Sequence, residues 1–244
     1  MNNFPSWADH ILAILFGLII PFVSGYRSTK GLNNAVFDSE TKKKLYRANS
    51  FSMAMLALII IAVWFLYSRP WSGLGFTYAI GYGTTVTLLV VIFIVLYAAD
   101  TMYAISTAAN RQQTIDQWQT ATPFLPTRKN ELPLYFVMCV TAGVGEEIVF
   151  RGFLVTYCLY LFSGNENAEW WAVLLPSLVF SISHYYQGSR AVFKIFILSV
   201  LFGFIFLKSG SLWIVMILHF LVDVLGGILS IWLISKRKNL NYNA

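Results

Sequence analysis

The chain has 244 residues, of which 57% are hydrophobic and 11% charged, and its formal net charge is +6. A soluble domain carries about 25% charged residues. A chain this apolar, with a mean hydropathy of +0.65, has more hydrophobic surface than one soluble core can bury, so the bilayer is its expected solvent. The basic residues sit between apolar runs and no nucleic-acid motif accompanies them, so the positive charge reads as membrane topology and excludes a nucleic-acid partner.

Taken in chain order, apolar stretches near 20 residues predict seven spans, at 7–26, 49–68, 77–99, 133–162, 170–187, 191–208 and 211–234. Residues 1–6 lack Lys and Arg, and no small-residue cleavage site follows the first run, so that run is expected to be retained rather than removed as a signal peptide. Residues 27–48 read as a basic, lipid-facing loop. Residues 100–131 are polar and Gln-rich, end in Pro123 and Pro126, and are expected to extend the third helix and then turn along the inner surface. The fourth run is about 30 residues long; it is tilted, projects from the membrane, or breaks near Gly152, and the last case makes eight spans. Cys139 and Cys158 lie in apolar runs and read as small buried hydrophobes rather than a disulfide.

Placing the N-terminus outside puts fourteen Lys and Arg residues, from Arg27 and Lys30 through Arg190 and Lys194 to Lys238, on the inner side. Only Arg69 and Lys208 then lie outside, and Arg151 lies within the membrane. That asymmetry favours N-terminus out and C-terminus in, and an eighth span would break the alternation. The expected fold is an all-α, polytopic, multi-pass membrane helix bundle forming a single integral membrane domain over 1–244, with lipids as its surroundings. No repeat was found, and the oligomeric state is left open.

Ionisable groups deep in apolar runs are costly and persist where they pair or work. Five stand out: Glu146, Glu147, Arg151, His184 and His219, with Asp223 one turn beyond the last. At 1.5 Å per residue, Glu146 lies at most about 20 Å above the inner surface, His184 about 9 Å, His219 about 18 Å and Asp223 about 12 Å. Three spans thus bring their ionisable groups to one layer between the midplane and the cytosol. Glu147 and Arg151 share a helix face as an ion pair would, while Glu146 is turned about 100° away. Phe180 shares a face with His184, and His219 with Asp223. Gly143 and Gly145 permit close helix approach beside the acids. Asp9 and Asp100 sit at span ends and are expected to reach water, and His10 reads as an interfacial polar residue. Acids, bases and a cation gathered in lipid are the parts of a hydrolytic site, although Glu147 and Arg151 alone would equally serve as a structural salt bridge.

The three motifs Glu146-Glu147-Ile148-Val149-Phe150-Arg151, Phe180-Ser181-Ile182-Ser183-His184 and His219-Phe220-Leu221-Val222-Asp223 together resemble the CPBP family. These are CAAX proteases and bacteriocin-processing membrane proteins, also called Abi. The motif-bearing core spans about 133–227. The resemblance implies a glutamate-dependent intramembrane endopeptidase in which Glu146 and His184 activate a water and His219 and Asp223 support the oxyanion. Glu147 and Arg151 form the supporting shell, with Phe180 beside them. Where the eukaryotic-type CAAX members carry Asn at the last position, this chain has Asp223. An ionised Asp cannot donate a hydrogen bond, so orienting His219 is the role expected of it. The chain is more similar to bacterial members, which implies a bacterial cytoplasmic membrane and a peptide or membrane-protein substrate such as a pheromone or bacteriocin precursor. No cofactor is implied.

Two other readings stay open at this level. A non-proteolytic immunity or scaffold protein would bind a toxin or membrane partner without needing Glu146, His184 and His219. A zinc protease would ligate its metal through those same three residues, although no His-Glu-x-x-His helix occurs.

Overall fold

In hydrocarbon every backbone amide must find its partner within the chain, which leaves an apolar run of this length only the helix. The computed structural model describes residues 4–34, 36–78 and 83–242, and among them every long element is helical and none is a strand. Helix α1 (Trp7–Ile14) passes through a π-helical stretch (Leu15–Ile19) into α2 (Ile20–Asn34). Next come α3 (Ser39–Leu66), a short 3₁₀ turn at Trp71–Leu74, α4 (Thr84–Ser106) and α5 (Ala108–Ala121). Helix α6 (Leu132–Glu147) continues through a second π-helical stretch (Ile148–Val155) into α7 (Thr156–Leu161). Helices α8 (Ala168–Ser183), α9 (Ser189–Ser209) and α10 (Leu212–Tyr242) complete the chain. The start of the predicted span 77–99, residues 79–82, lies outside the described residues, as do residues 1–3 and the side chain of Lys238.

Among the described residues, six rods are long and apolar enough to cross a membrane: Trp7–Ser28, Ser39–Leu66, Thr84–Ser106, Lys129–Leu161, Ser189–Ser209 and Leu212–Arg237. They match six of the seven predicted runs. The remaining run, 170–187, becomes the shorter α8 because the helix stops at Ser183 and the chain turns sharply over Tyr185–Gln187. The fourth run does not break near Gly152: α6, the π stretch and α7 form one continuous rod, so no eighth span arises there. The segment 27–48, expected as a loop, is largely helical. Helix α2 runs on to Asn34, and α3 starts early at Ser39 because Asp38 caps it by accepting from the Thr41 amide at 2.8 Å. That backbone hydrogen bond holds the Asp38 carboxyl below its ordinary pKa.

The α6 rod forms the centre. Half of its most apolar window is buried, against 6% for α4. It packs on α3 and α10, and its π stretch packs on α8. Phe153, Ile148, Val155, Ile60, Trp64, Ile205 and Leu212 are fully enclosed around it. Gly145 lies where an added Cβ would meet the Met53 carbonyl of α3 at 2.9 Å, and at Gly143 a Cβ would meet the Phe220 amide of α10 at 3.0 Å. Both helices therefore approach the acid pair closely, as the two glycines suggested.

One expectation fails at the opposite end of the bundle from the α5 segment. Asp9 does not reach water: it is fully buried and paired with Arg69, with Oδ1 2.8 Å from Nη1 and Oδ2 2.6 Å from Nη2. The chain before α1 folds back on the turn after α3, so Ser6 also donates to Asp9 through its amide (2.6 Å) and hydroxyl (2.8 Å). Phe4, Trp64 and Tyr67 surround the guanidinium at 4.6–5.1 Å from their ring centres. A bidentate pair with its remaining lone pairs satisfied can stay ionised in an apolar setting. Removing one partner strands the other charge. Arg69→Met is expected to lower stability by about 3–5 kcal/mol, and the double variant with Asp9→Asn to recover most of it, as read from unfolding midpoints in detergent.

Candidate active site

The two adjacent glutamates point to different surroundings, as their 100° offset requires. Glu147 is fully buried. Its Oε1 accepts from Arg151 Nη1 at 2.8 Å, within its own rod, and lies 2.7 Å from His219 Nδ1 on α10. Its Oε2 is buried and has no hydrogen-bond partner among the described residues. The Arg151 guanidinium also donates to the Ser199 hydroxyl of α9 at 2.9 Å. It lies between the rings of Phe180 and Phe202, at 4.8 and 5.4 Å, which suits a planar, weakly hydrated cation. One carboxylate and one guanidinium thus tie the α6 rod to both α9 and α10.

Glu146 keeps 14% of its side chain exposed. It lines a cavity of about 960 Å³ together with His184, His219 and Asp223. Its Oε2 lies 3.7 Å from His219 Nε2, and Asp223 Oδ2 lies 3.7 Å from the same nitrogen. These separations are too long for direct hydrogen bonds. The bond that orients the His219 ring is therefore the one from Glu147, which corrects the expectation that Asp223 holds it. The sequence pattern placed Asp223 on the correct face, but i, i+4 spacing fixes only the face. Asp223 is instead 30% exposed to the cavity.

His184 closes α8. Its Nδ1 lies 2.8 Å from the Phe180 carbonyl and 3.1 Å from the Ser183 hydroxyl. A carbonyl only accepts, so Nδ1 carries the hydrogen and Nε2 keeps its lone pair. Phe180 packs on both histidines, with ring centres 4.7 Å from His184 and 6.2 Å from His219. It also packs edge-on against Phe150, at 4.9 Å. The four motif residues that face the cavity thus come from three rods, α6, α8 and α10, and the three supporting residues pack immediately behind them.

The same cavity is also lined by the exposed Arg27, Arg190, Lys194 and Asp100, with Phe124 and Leu125 from the connection between α5 and α6. That connection is pinned by Lys42, which donates to the Leu125 carbonyl at 2.7 Å and the Thr127 hydroxyl at 3.2 Å. Glu131 accompanies it at 3.8 Å, and both charges are buried. Tyr46 donates to the Phe124 carbonyl at 2.5 Å. Lys42, placed by sequence in a basic, lipid-facing loop, is thus part of a buried clasp. Asp100 does reach water and pairs with Lys194 across α4 and α9. His10 is exposed and bonds the Tyr157 hydroxyl at 2.7 Å. Both cysteines are free. Among the described residues, no group of three or more His, Cys, Asp or Glu side chains is arranged to hold a metal ion. Ser199 and the direct link from Glu147 to His219 were not foreseen. No spacing rule connects residues 48 or 72 positions apart.

The two glutamates separate by experiment. Glu147→Ala leaves Arg151 buried without its carboxylate and is expected to lower stability by about 3–5 kcal/mol. Glu146→Ala, which loses no direct hydrogen bond to the protein, is expected to leave the unfolding midpoint in detergent nearly unchanged.

Compared with known proteins, residues 128–225 match the family model described as type II CAAX prenyl endopeptidase Rce1-like. No curated protein and no solved structure matches the chain. The match covers less than half of the chain but includes all three motifs, from Glu146 to Asp223. The motif resemblance therefore stands: over residues 128–225 this chain is similar to the Rce1-like, CAAX-type membrane protease family.

Proposed function

We propose that this protein is an intramembrane endopeptidase that hydrolyses a peptide bond of a membrane-associated peptide or protein by a water activated at Glu146 and His184. The observation that carries the reading is the division between the glutamates. Glu146 faces a roomy cavity, with its Oε2 3.7 Å from His219 Nε2, while Glu147 is buried in packing. The protease family supports the reaction class.

In the proposed step, Glu146 takes one proton from the water, and the Nε2 lone pair of His184 accepts a hydrogen bond from its other O–H. The water oxygen attacks the scissile carbonyl, and the carbonyl electron pair moves onto its oxygen. The Nε2–H of His219, whose Nδ1 side is held by Glu147, donates to that oxyanion. Collapse breaks the C–N bond, and Glu146 returns its proton to the leaving amine. The scheme uses a His219 ring with hydrogen on both nitrogens, since the Glu147 carboxylate only accepts at Nδ1; Asp223 Oδ2 lies 3.7 Å from Nε2. No metal takes part in this scheme.

The excess of basic over acidic residues among the exposed cavity lining, Arg27, Arg190 and Lys194 against Asp100, supports an N-terminus-out, C-terminus-in orientation with access from the cytoplasm. The bacterial cytoplasmic membrane and a substrate such as a pheromone or bacteriocin precursor complete the reading. The test uses protein purified in detergent with an internally quenched peptide library. Glu146→Ala and His184→Ala are each expected to lower kcat by about 10²–10⁴-fold with unfolding midpoints retained. Full cleavage by both variants would refute the mechanism. Stoichiometric zinc in active protein, lost with activity on chelation, would replace it with the metal reading.

A further inference from the structure

Hydrolysis of an amide needs hydrogen-bond donors aimed at the oxygen that becomes negative, and the four motif residues that face the cavity supply few of them. Glu146 and Asp223 only accept when ionised. His184 spends its Nδ1–H on the Phe180 carbonyl. His219 commits its Nδ1–H to Glu147, which leaves only the Nε2–H of the doubly protonated ring. Four tyrosines line the same cavity: Tyr103, which is largely exposed, and the less exposed Tyr97, Tyr135 and Tyr186. The hydroxyl of Tyr97 donates to the Val222 carbonyl at 3.3 Å and that of Tyr135 to the Asp223 carbonyl at 2.9 Å. Their protons are spent on backbone.

Tyr186 differs. Its oxygen accepts from Gln187 Nε2 at 3.1 Å, and among the described residues its own proton has no acceptor. A hydroxyl that already accepts is polarised and donates better. Its place is also fixed. It follows His184 by two residues in the tight turn Tyr185–Gln187, closed by the Gln187 amide on the His184 carbonyl at 2.9 Å and the Gly188 amide on the Tyr185 carbonyl at 3.0 Å. Gly188 leaves the turn at φ +89°, a conformation that only glycine adopts readily. The Tyr186 ring is flanked by Phe124 and His184, with centres 6.1 and 6.0 Å away.

We propose that Tyr186 is a catalytic residue whose hydroxyl, backed by Gln187, donates a hydrogen bond to the carbonyl oxygen of the substrate as it becomes an oxyanion. It acts together with His219 and supplies the donor that Asp223 cannot. The proposal rests on the peptidase reading above. The covalent changes are those already written; Tyr186 lends its hydrogen without giving up the proton.

The experiment compares the full-length parent, Tyr186→Phe and Gln187→Met in detergent with the internally quenched peptide library. Tyr186→Phe keeps the ring and removes only the hydroxyl. It is expected to lower kcat by about 10²–10³-fold, with KM and the unfolding midpoint close to the parent's. Gln187→Met, which keeps the tyrosine but removes its supporting donor, is expected to lower kcat by about 3–10-fold and decides the matter if Tyr186→Phe fails to fold. A parent that cleaves, with Tyr186→Phe losing less than about tenfold in kcat, overturns the role of Tyr186 and leaves the peptidase reading intact. A parent that cleaves no member of the library overturns both.

Discussion

One carboxylate oxygen, Glu147 Oε1, receives both the Arg151 guanidinium and the His219 ring. Around that atom the site is assembled. In a medium without water, a buried carboxylate persists only if charge and hydrogen bonds surround it, and each partner of Glu147 brings a different helix. Arg151 reaches Ser199 on α9 and stacks between Phe180 of α8 and Phe202 of α9. His219 belongs to α10. The requirement that this charge be satisfied therefore fixes where three helices stand relative to the α6 rod, and with them where Glu146 finds its histidines.

The neighbouring residues divide two tasks that one residue could not perform. A group locked by two strong hydrogen bonds orients its neighbours well but is poorly free to exchange protons. A group facing a cavity can exchange protons but holds nothing together. Successive positions on a helix diverge by about 100°, so an adjacent pair serves both purposes in one turn. The π-helical stretch that begins at Ile148, directly after the pair, is a kind of irregularity that recurs at functional sites. It packs against the other π-helical stretch, where Gly17 accommodates Leu154.

The membrane class, the helical fold and six of the rods were legible in the sequence because hydrocarbon imposes length and apolarity directly on composition. The clustering of Glu146, His184 and His219 was legible from depth, since residues at one level in different rods have few places to go. Lateral pairing was less visible. Asp9 was expected in water and is enclosed with Arg69, because fold-back of the first residues depends on a turn sixty positions away. Lys42 was read with its basic neighbours as part of a lipid-facing loop, yet a cap at Asp38 starts α3 early enough to turn it inward. The bond from Glu147 to His219 competed with the more obvious i, i+4 pair of His219 and Asp223, and helical spacing cannot rank a partner on another rod.

Helix α8 has 16 residues, which gives a rod of about 24 Å beside a hydrocarbon layer of about 30 Å. A short rod is matched by local thinning of the bilayer, which draws the headgroup region towards its ends. His184 stands at one of those ends. A rod that stops short of the layer's full thickness therefore sets its terminal imidazole nearer the headgroup level than a full-length span would.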